Sequence, residues 1–100
     1  MPDSTMNEEY KKTLCKKLAS NLPTLRMKAG MTQTDLAVRL GYNRQTIGSI
    51  EGNKRDMFWS TFAAIVLYFS ANEELKQLMI TMGIINDDVE KFLNINLRNQ

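Results

Sequence analysis

Apolar residues recur at three- and four-residue spacing along most of the chain. Tyr10, Leu14, Leu18, Leu22 and Leu25 form one stripe across residues 7–29, as expected of a helix with one face toward a core. Pro23 falls inside that stripe. Either the helix kinks there, or a second helix opens with Pro23 in its first turn. Gly30 stands where a left-handed residue would end the segment.

The next stretch is more specific. Thr32 precedes Gln33-Thr34-Asp35-Leu36-Ala37-Val38-Arg39-Leu40, with Asp35 three residues on, a near-match to the capping box. Gly41 closes that short helix, Asn43 is a good N-cap for Arg44 to Glu51, and Gly52 is expected to stop the second. Two short helices joined by Gly41-Tyr42-Asn43 make a helix-turn-helix pattern. Beyond a turn-like Gly52-Asn53-Lys54-Arg55-Asp56, residues 58–69 are apolar nearly all round, so that helix must be buried on most faces. Asn72 or Ser70 is placed to cap a further helix striped by Leu75, Leu78, Met79 and Met82, which Gly83 ends. Asp87 with Glu90 is placed to cap a last one, bearing Val89, Phe92, Leu93 and Leu97. No strand-like alternation of useful length appears. The expected architecture is all-α.

Composition narrows the chemistry. The 100 residues suit one domain, and 43% apolar with 24% charged residues is an ordinary globular balance. There is no histidine, which removes imidazole bases, His-bearing triads and the commonest zinc ligand. Cys15 is alone, so a chain cannot close a disulfide on itself or build a cysteine metal cluster. Carboxylate pairs such as Glu73-Glu74 and Asp87-Asp88 sit at helix starts, where acids favour the dipole without catalysis. No glycine loop of the phosphate-cradling kind and no nucleophile with a base beside it is seen. The sequence therefore predicts neither catalytic nor metal residues, and no cofactor. The first residues lack the basic start and apolar run of a signal peptide, and Phe62 to Phe69 is too short to span a membrane, so a cytoplasmic location is expected.

The formal charge of +2 is unevenly spread: +1 over residues 1–23, +3 over 24–56 and −2 over 57–100. A basic middle and an acidic end point weakly to a polyanion facing the middle. On a helical wheel of residues 44–52, Ile47 and Ile50 point together toward the core. Gln45, Gly48, Ser49 and Gly52 take the other face, with Arg44 flanking. Gln can bond an adenine edge and Arg a guanine edge, each through two hydrogen bonds. A glycine inside a helix costs roughly 1 kcal/mol relative to alanine, and Gly48 would let the backbone approach base edges.

At these residues a resemblance can be named. Leu22-Pro23-Thr24-Leu25-Arg26-Met27-Lys28-Ala29-Gly30-Met31-Thr32-Gln33-Thr34-Asp35-Leu36-Ala37 resembles the start of a phage repressor/Cro-like (Xre-type) helix-turn-helix domain. Arg44-Gln45-Thr46-Ile47-Gly48-Ser49-Ile50-Glu51-Gly52-Asn53-Lys54-Arg55 resembles its recognition helix and the basic turn after it. The likeness covers about residues 18–72, with residues 1–17 as an N-terminal helical extension and 73–100 as a C-terminal helical segment for packing or dimerisation.

The resemblance implies an all-α fold, a five-helix repressor-like helix-turn-helix domain with one or two additional C-terminal helices, that binds DNA and usually acts as a dimeric transcriptional regulator. It implies phosphate contacts by Gln33, Asn43, Lys54 and Arg55, base contacts by Arg44, Gln45 and Ser49, and a structural ion pair between Arg26 and Glu51. Three positions depart from the pattern: Gly52-Asn53 stands where Asn-Gly is usual, and Gly48 replaces a small polar residue.

Phe58, Trp59, Phe62 and Tyr68 read as core aromatics rather than a base-stacking platform. The C-terminal third carries Met79, Met82, Ile84, Ile85, Val89, Phe92, Leu93, Ile95 and Leu97, more apolar surface than a monomer of this size readily hides, so part is expected to cover the fourth helix and the rest to serve self-association, with Val89, Phe92 and Leu93 as dimer or packing residues. The leading expectation is a sequence-specific duplex-DNA-binding regulator, a repressor acting as a homodimer on a palindromic operator. The alternative is a protein-interaction module, such as an antitoxin or accessory factor, whose C-terminal apolar face binds another polypeptide.

Overall fold

The computed structural model describes residues 6–94. Among them lie six helices: α1 (Glu8–Lys28), α2 (Gln33–Leu40), α3 (Arg44–Glu51), α4 (Trp59–Ser70), α5 (Glu73–Thr81) and α6 (Asp87–Leu93). The all-α expectation holds. α1 packs against α3 and α4, α2 against α3, and α4 against α5. No helix of the described residues is long and apolar enough to cross a membrane.

The stripe read from the sequence is the buried face of α1. Leu18, Leu22 and Leu25 are fully enclosed and Leu14 nearly so, with Cys15 beside them. Each such side chain contributes about 1.5–3 kcal/mol by leaving water. Pro23 neither ends nor restarts the helix: α1 runs through it without a break, and residues 17 and 18 lie on the same helix. The core is completed by Leu36 of α2, Ile47 of α3, Phe62, Ile65 and Val66 of α4, and Met79 of α5.

Four helix starts are capped by side chains in the way their residue types favour. Asn7 accepts from the Tyr10 amide, Thr32 from Asp35, Asn43 from Thr46 and Asn72 from Leu75. At α6 the capping residue is Asn86, whose Oδ1 accepts from the Val89 amide at 2.9 Å. Asp87 therefore lies inside the first turn, one residue later than the sequence suggested. Its charge is still placed favourably toward the helix dipole.

Packing also resolves two further expectations. The C-terminal apolar residues are mostly consumed by the monomer: Met79, Ile84 and Val89 are fully buried and Ile85 nearly so. Val89 is thus a packing residue with no surface to offer a second copy, while Phe92 and Leu93 are partly buried against the same core. Ile95 and Leu97 lie outside the described residues. Phe58 and Tyr68, in turn, are not core. Tyr68 lies on the outer side of α4, and Phe58 stands at its N-cap on extended backbone and is 77% exposed. Trp59 stacks on Phe62 at 4.5 Å between ring centroids and meets Phe92 edge-on at 5.3 Å, so the aromatic cluster starts one residue later.

α1 also reaches the end of the described chain. The Tyr10 hydroxyl donates to Asp88 Oδ2 at 3.0 Å and accepts from Asn86 Nδ2 at 3.1 Å, joining the first turn of α1 to the start of α6. Burial, then the neighbouring Asp88 carboxylate, holds the Tyr10 phenol above its ordinary pKa.

Candidate nucleic-acid interface

The turn between α2 and α3 is set by backbone geometry. Gly41 adopts φ +80°, which an L side chain rarely tolerates. The Gly41 amide then bonds the Val38 carbonyl and the Tyr42 amide the Ala37 carbonyl, so the last carbonyls of α2 are satisfied as the chain reverses. Tyr42 anchors the turn to α4 through a 2.8 Å hydrogen bond between its hydroxyl and that of Thr61. One residue on, Asn43 starts α3. Its Oδ1 accepts from both the amide and the hydroxyl of Thr46, at 2.9 and 3.0 Å.

A chain of charge-assisted bonds fixes α3 against α1 and α2. Arg26 donates from Nε and Nη2 to the two carboxylate oxygens of Glu51, at 2.8 and 3.1 Å, and from Nη1 to the Met31 carbonyl at 2.9 Å. The paired side chains are 14% and 7% exposed, and the Glu51 carboxylate raises the Arg26 pKa above its ordinary value. The same carboxylate accepts from Gln33 Nε2 at 2.9 Å. Gln33 Oε1 in turn accepts from Arg44 at 2.9 Å. The structure therefore joins Arg26, Glu51, Gln33 and Arg44 in one row running from α1 to the first residue of α3.

That row changes the meaning of Gly48. A β-carbon at this position would lie 3.4 Å from both the Arg44 guanidinium and Gln33 Oε1. Gly48 is the open step over which Arg44 reaches back to α2. Sequence reasoning found the glycine but not this partner, because the contact joins positions 15 residues apart on different helices.

α3 ends where the sequence places its stop, with Gly52 as the C-cap. Gly52 has an ordinary φ of −83°, and Asn53 takes the left-handed conformation at φ +60°. The Asn53 amide bonds the Ile50 carbonyl and the Lys54 amide the Ser49 carbonyl at 2.8 Å, completing the helix end. The inverted Gly-Asn order thus moves the left-handed role onto the side chain best able to adopt it after glycine. Arg55 folds back to donate to the Thr46 hydroxyl at 3.2 Å, so Asn43, Thr46 and Arg55 form a second chain across the start of α3.

Exposure separates the remaining candidates. Asn43, Arg44, Gln45, Lys54 and Arg55 are exposed, Gln33 and Ser49 partly buried, and Ile47 and Ile50 enclosed. Gln45 makes no side-chain hydrogen bond among the described residues, whereas Gln33 and Arg44 are already tied to each other. The surface can offer amide and guanidinium groups to base edges or phosphates. It holds no nucleophile beside a base, and no group of acids and cysteine fit for a metal ion is found among the described residues.

Comparison with known proteins agrees with this geometry. A family model described as a helix-turn-helix domain matches residues 17–79, which takes in α2, the turn, α3, α4 and most of α1 and α5. No curated protein and no solved structure matches the chain. A match over more than half of the chain, centred on the two helices whose ends and turn are described above, shows that the protein belongs to the helix-turn-helix domain family.

Proposed function

We propose that the protein is a sequence-specific duplex-DNA-binding transcriptional regulator, a repressor that acts as a homodimer and lays α3 in the major groove. The carrying observation is the Arg26–Glu51–Gln33–Arg44 row, which holds the starts of α2 and α3 in one fixed relation. A rigid pair of helix starts is what register on a duplex requires. In this reading Gln45 and Arg44 meet base edges, with Ser49 supporting. Gln33, Asn43, Lys54 and Arg55 meet phosphate. Gln33 keeps one amide hydrogen and its backbone N–H for that purpose, and Asn43, whose Oδ1 serves the cap, keeps its amide hydrogens.

A helix of eight residues covers one half-site, which supports a two-fold assembly on a palindromic operator. Met79, Ile84, Ile85 and Val89, on which both self-association and the alternative protein-interaction module drew, are enclosed in the monomer, so either assembly would use the partly exposed Phe92 and Leu93 or another face.

Selection of duplexes from a random pool by the purified protein, at near-physiological salt, tests the reading. An enriched palindrome is expected, its spacing giving the distance between the two copies of α3. A folded protein that enriches no sequence would overturn the base-reading role.

A further inference from the structure

The first half of α1 carries four lysines, and the structure divides them. Lys11 is engaged: its Nζ lies 5.6 and 5.2 Å from the ring centroids of Trp59 and Phe92, and 3.9 Å from Glu8. Lys17 brings its Nζ against Gly83, the left-handed residue that follows α5. Lys12 and Lys16 lie one helical turn apart, both exposed and neither in an ion pair among the described residues. These two line a groove of about 130 Å³ together with Asn53, Arg55 and Asp56 from the loop after α3. Lys16 also borders a neighbouring groove of about 190 Å³ with Asn53 and Glu51.

Around the first groove three cations face one carboxylate, so positive charge is in excess. Arg55 connects it to α3 through the Thr46 hydroxyl. Arg55 thus stands between the first turn of α3 and the lysine pair Lys12 and Lys16. A duplex carries about one negative charge per 1.7 Å of axis, so a strand held at Lys54 and Arg55 continues with further phosphates to either side.

We propose that Lys12 and Lys16 bind the phosphate backbone of duplex DNA flanking the site that α3 reads, extending the phosphate contacts of Lys54 and Arg55 onto α1. This rests on the DNA-binding reading above. These side chains touch no base in this arrangement and add affinity without sequence preference.

The test compares wild-type protein with the K12Q/K16Q and K17Q/K91Q double variants, which lose the same charge at different places. Folding of each is checked by circular dichroism, and binding is measured on a selected duplex and a random one across a salt series. The expected result is that K12Q/K16Q makes the dependence of log affinity on log salt shallower by about two. A deficit of about tenfold then opens as salt falls from about 200 to about 50 mM, equal on both duplexes. K17Q/K91Q stays near wild type. An unchanged slope in K12Q/K16Q, while the wild type binds, overturns this proposal alone. Equal changes in the two double variants also overturn it, by tracing the effect to net charge. A wild type that binds neither duplex overturns the DNA-binding reading and this proposal with it.

Discussion

On α3, what each side chain already holds decides what it can still do. Arg44 is bonded to Gln33, and Thr46 is shared between Asn43 and Arg55. Gln45 is exposed with both ends of its amide unused by the described residues. We expect Gln45→Ala to cost about 1–3 kcal/mol on the preferred duplex, to relax one base position, and to leave random duplexes nearly unaffected. Competition binding against a scrambled duplex checks this, and equal losses on both would remove Gln45 from base reading. Asn53 offers a test free of DNA. Because it holds the left-handed conformation, Asn53→Ala should lower stability by about 1 kcal/mol, whereas Asn53→Gly should not. Urea denaturation of the two variants settles it, and equal midpoints would show that the loop closes another way.

At the scale of an element, α2 shows how local chemistry gives a helix its start. Thr32 Oγ1 accepts from the Asp35 amide at 3.0 Å, and Asp35 Oδ2 accepts from the Thr32 amide at 2.9 Å. The Thr32 amide, and after it the Thr32 hydroxyl, hold the Asp35 pKa below its ordinary 3.8. A lowered folded value means that the carboxylate contributes stability above pH 3.8, and that the contribution is lost as pH falls through the depressed value. Asp35→Asn should therefore flatten the acid limb of the stability profile, its difference from wild type shrinking as pH falls below 3.8. Denaturant midpoints measured between pH 2 and pH 6 check this. A parallel displacement over the whole range would place the effect elsewhere.

The whole molecule is closed by contacts far apart in sequence. Tyr10 joins α1 to α6 through Asp88 and Asn86. Removing the hydroxyl leaves the Asp88 carboxylate without that donor, so Tyr10→Phe should cost about 1–2 kcal/mol. Amide exchange should rise first in α6, whose only fully buried side chain among the described residues is Val89. Exchange that rises evenly across all helices would show that α6 does not open as a unit. Cys15 reports on the same closure. Burial, and less so Asp56, pushes its thiol up to about 11, so alkylation of native protein near pH 8 should be slow. A rapid stoichiometric reaction would show that the α1 face is not closed.

What could be read from the sequence follows from the range of the interactions involved. Helix stripes, caps and the turn depend on residues three or four positions apart, and Leu14, Leu18, Leu22, Thr32, Gly41 and Asn43 all do in the structure what their spacing implies. Resemblance to a known family added Arg26 and Glu51, 25 positions apart, which spacing alone does not link. Tertiary structure decided the rest. Whether Val89 is hidden or Phe58 exposed depends on which helix lies across it, and periodicity cannot say which. The bond from Arg44 to Gln33 over Gly48, and the grouping of Lys12 and Lys16 with Arg55, exist only because α1, α2 and α3 are packed together. The sequence by itself determined where the helices begin, end and turn, because backbone satisfaction is local. Packing alone determined which side chains share a surface, because that depends on distances no linear pattern contains.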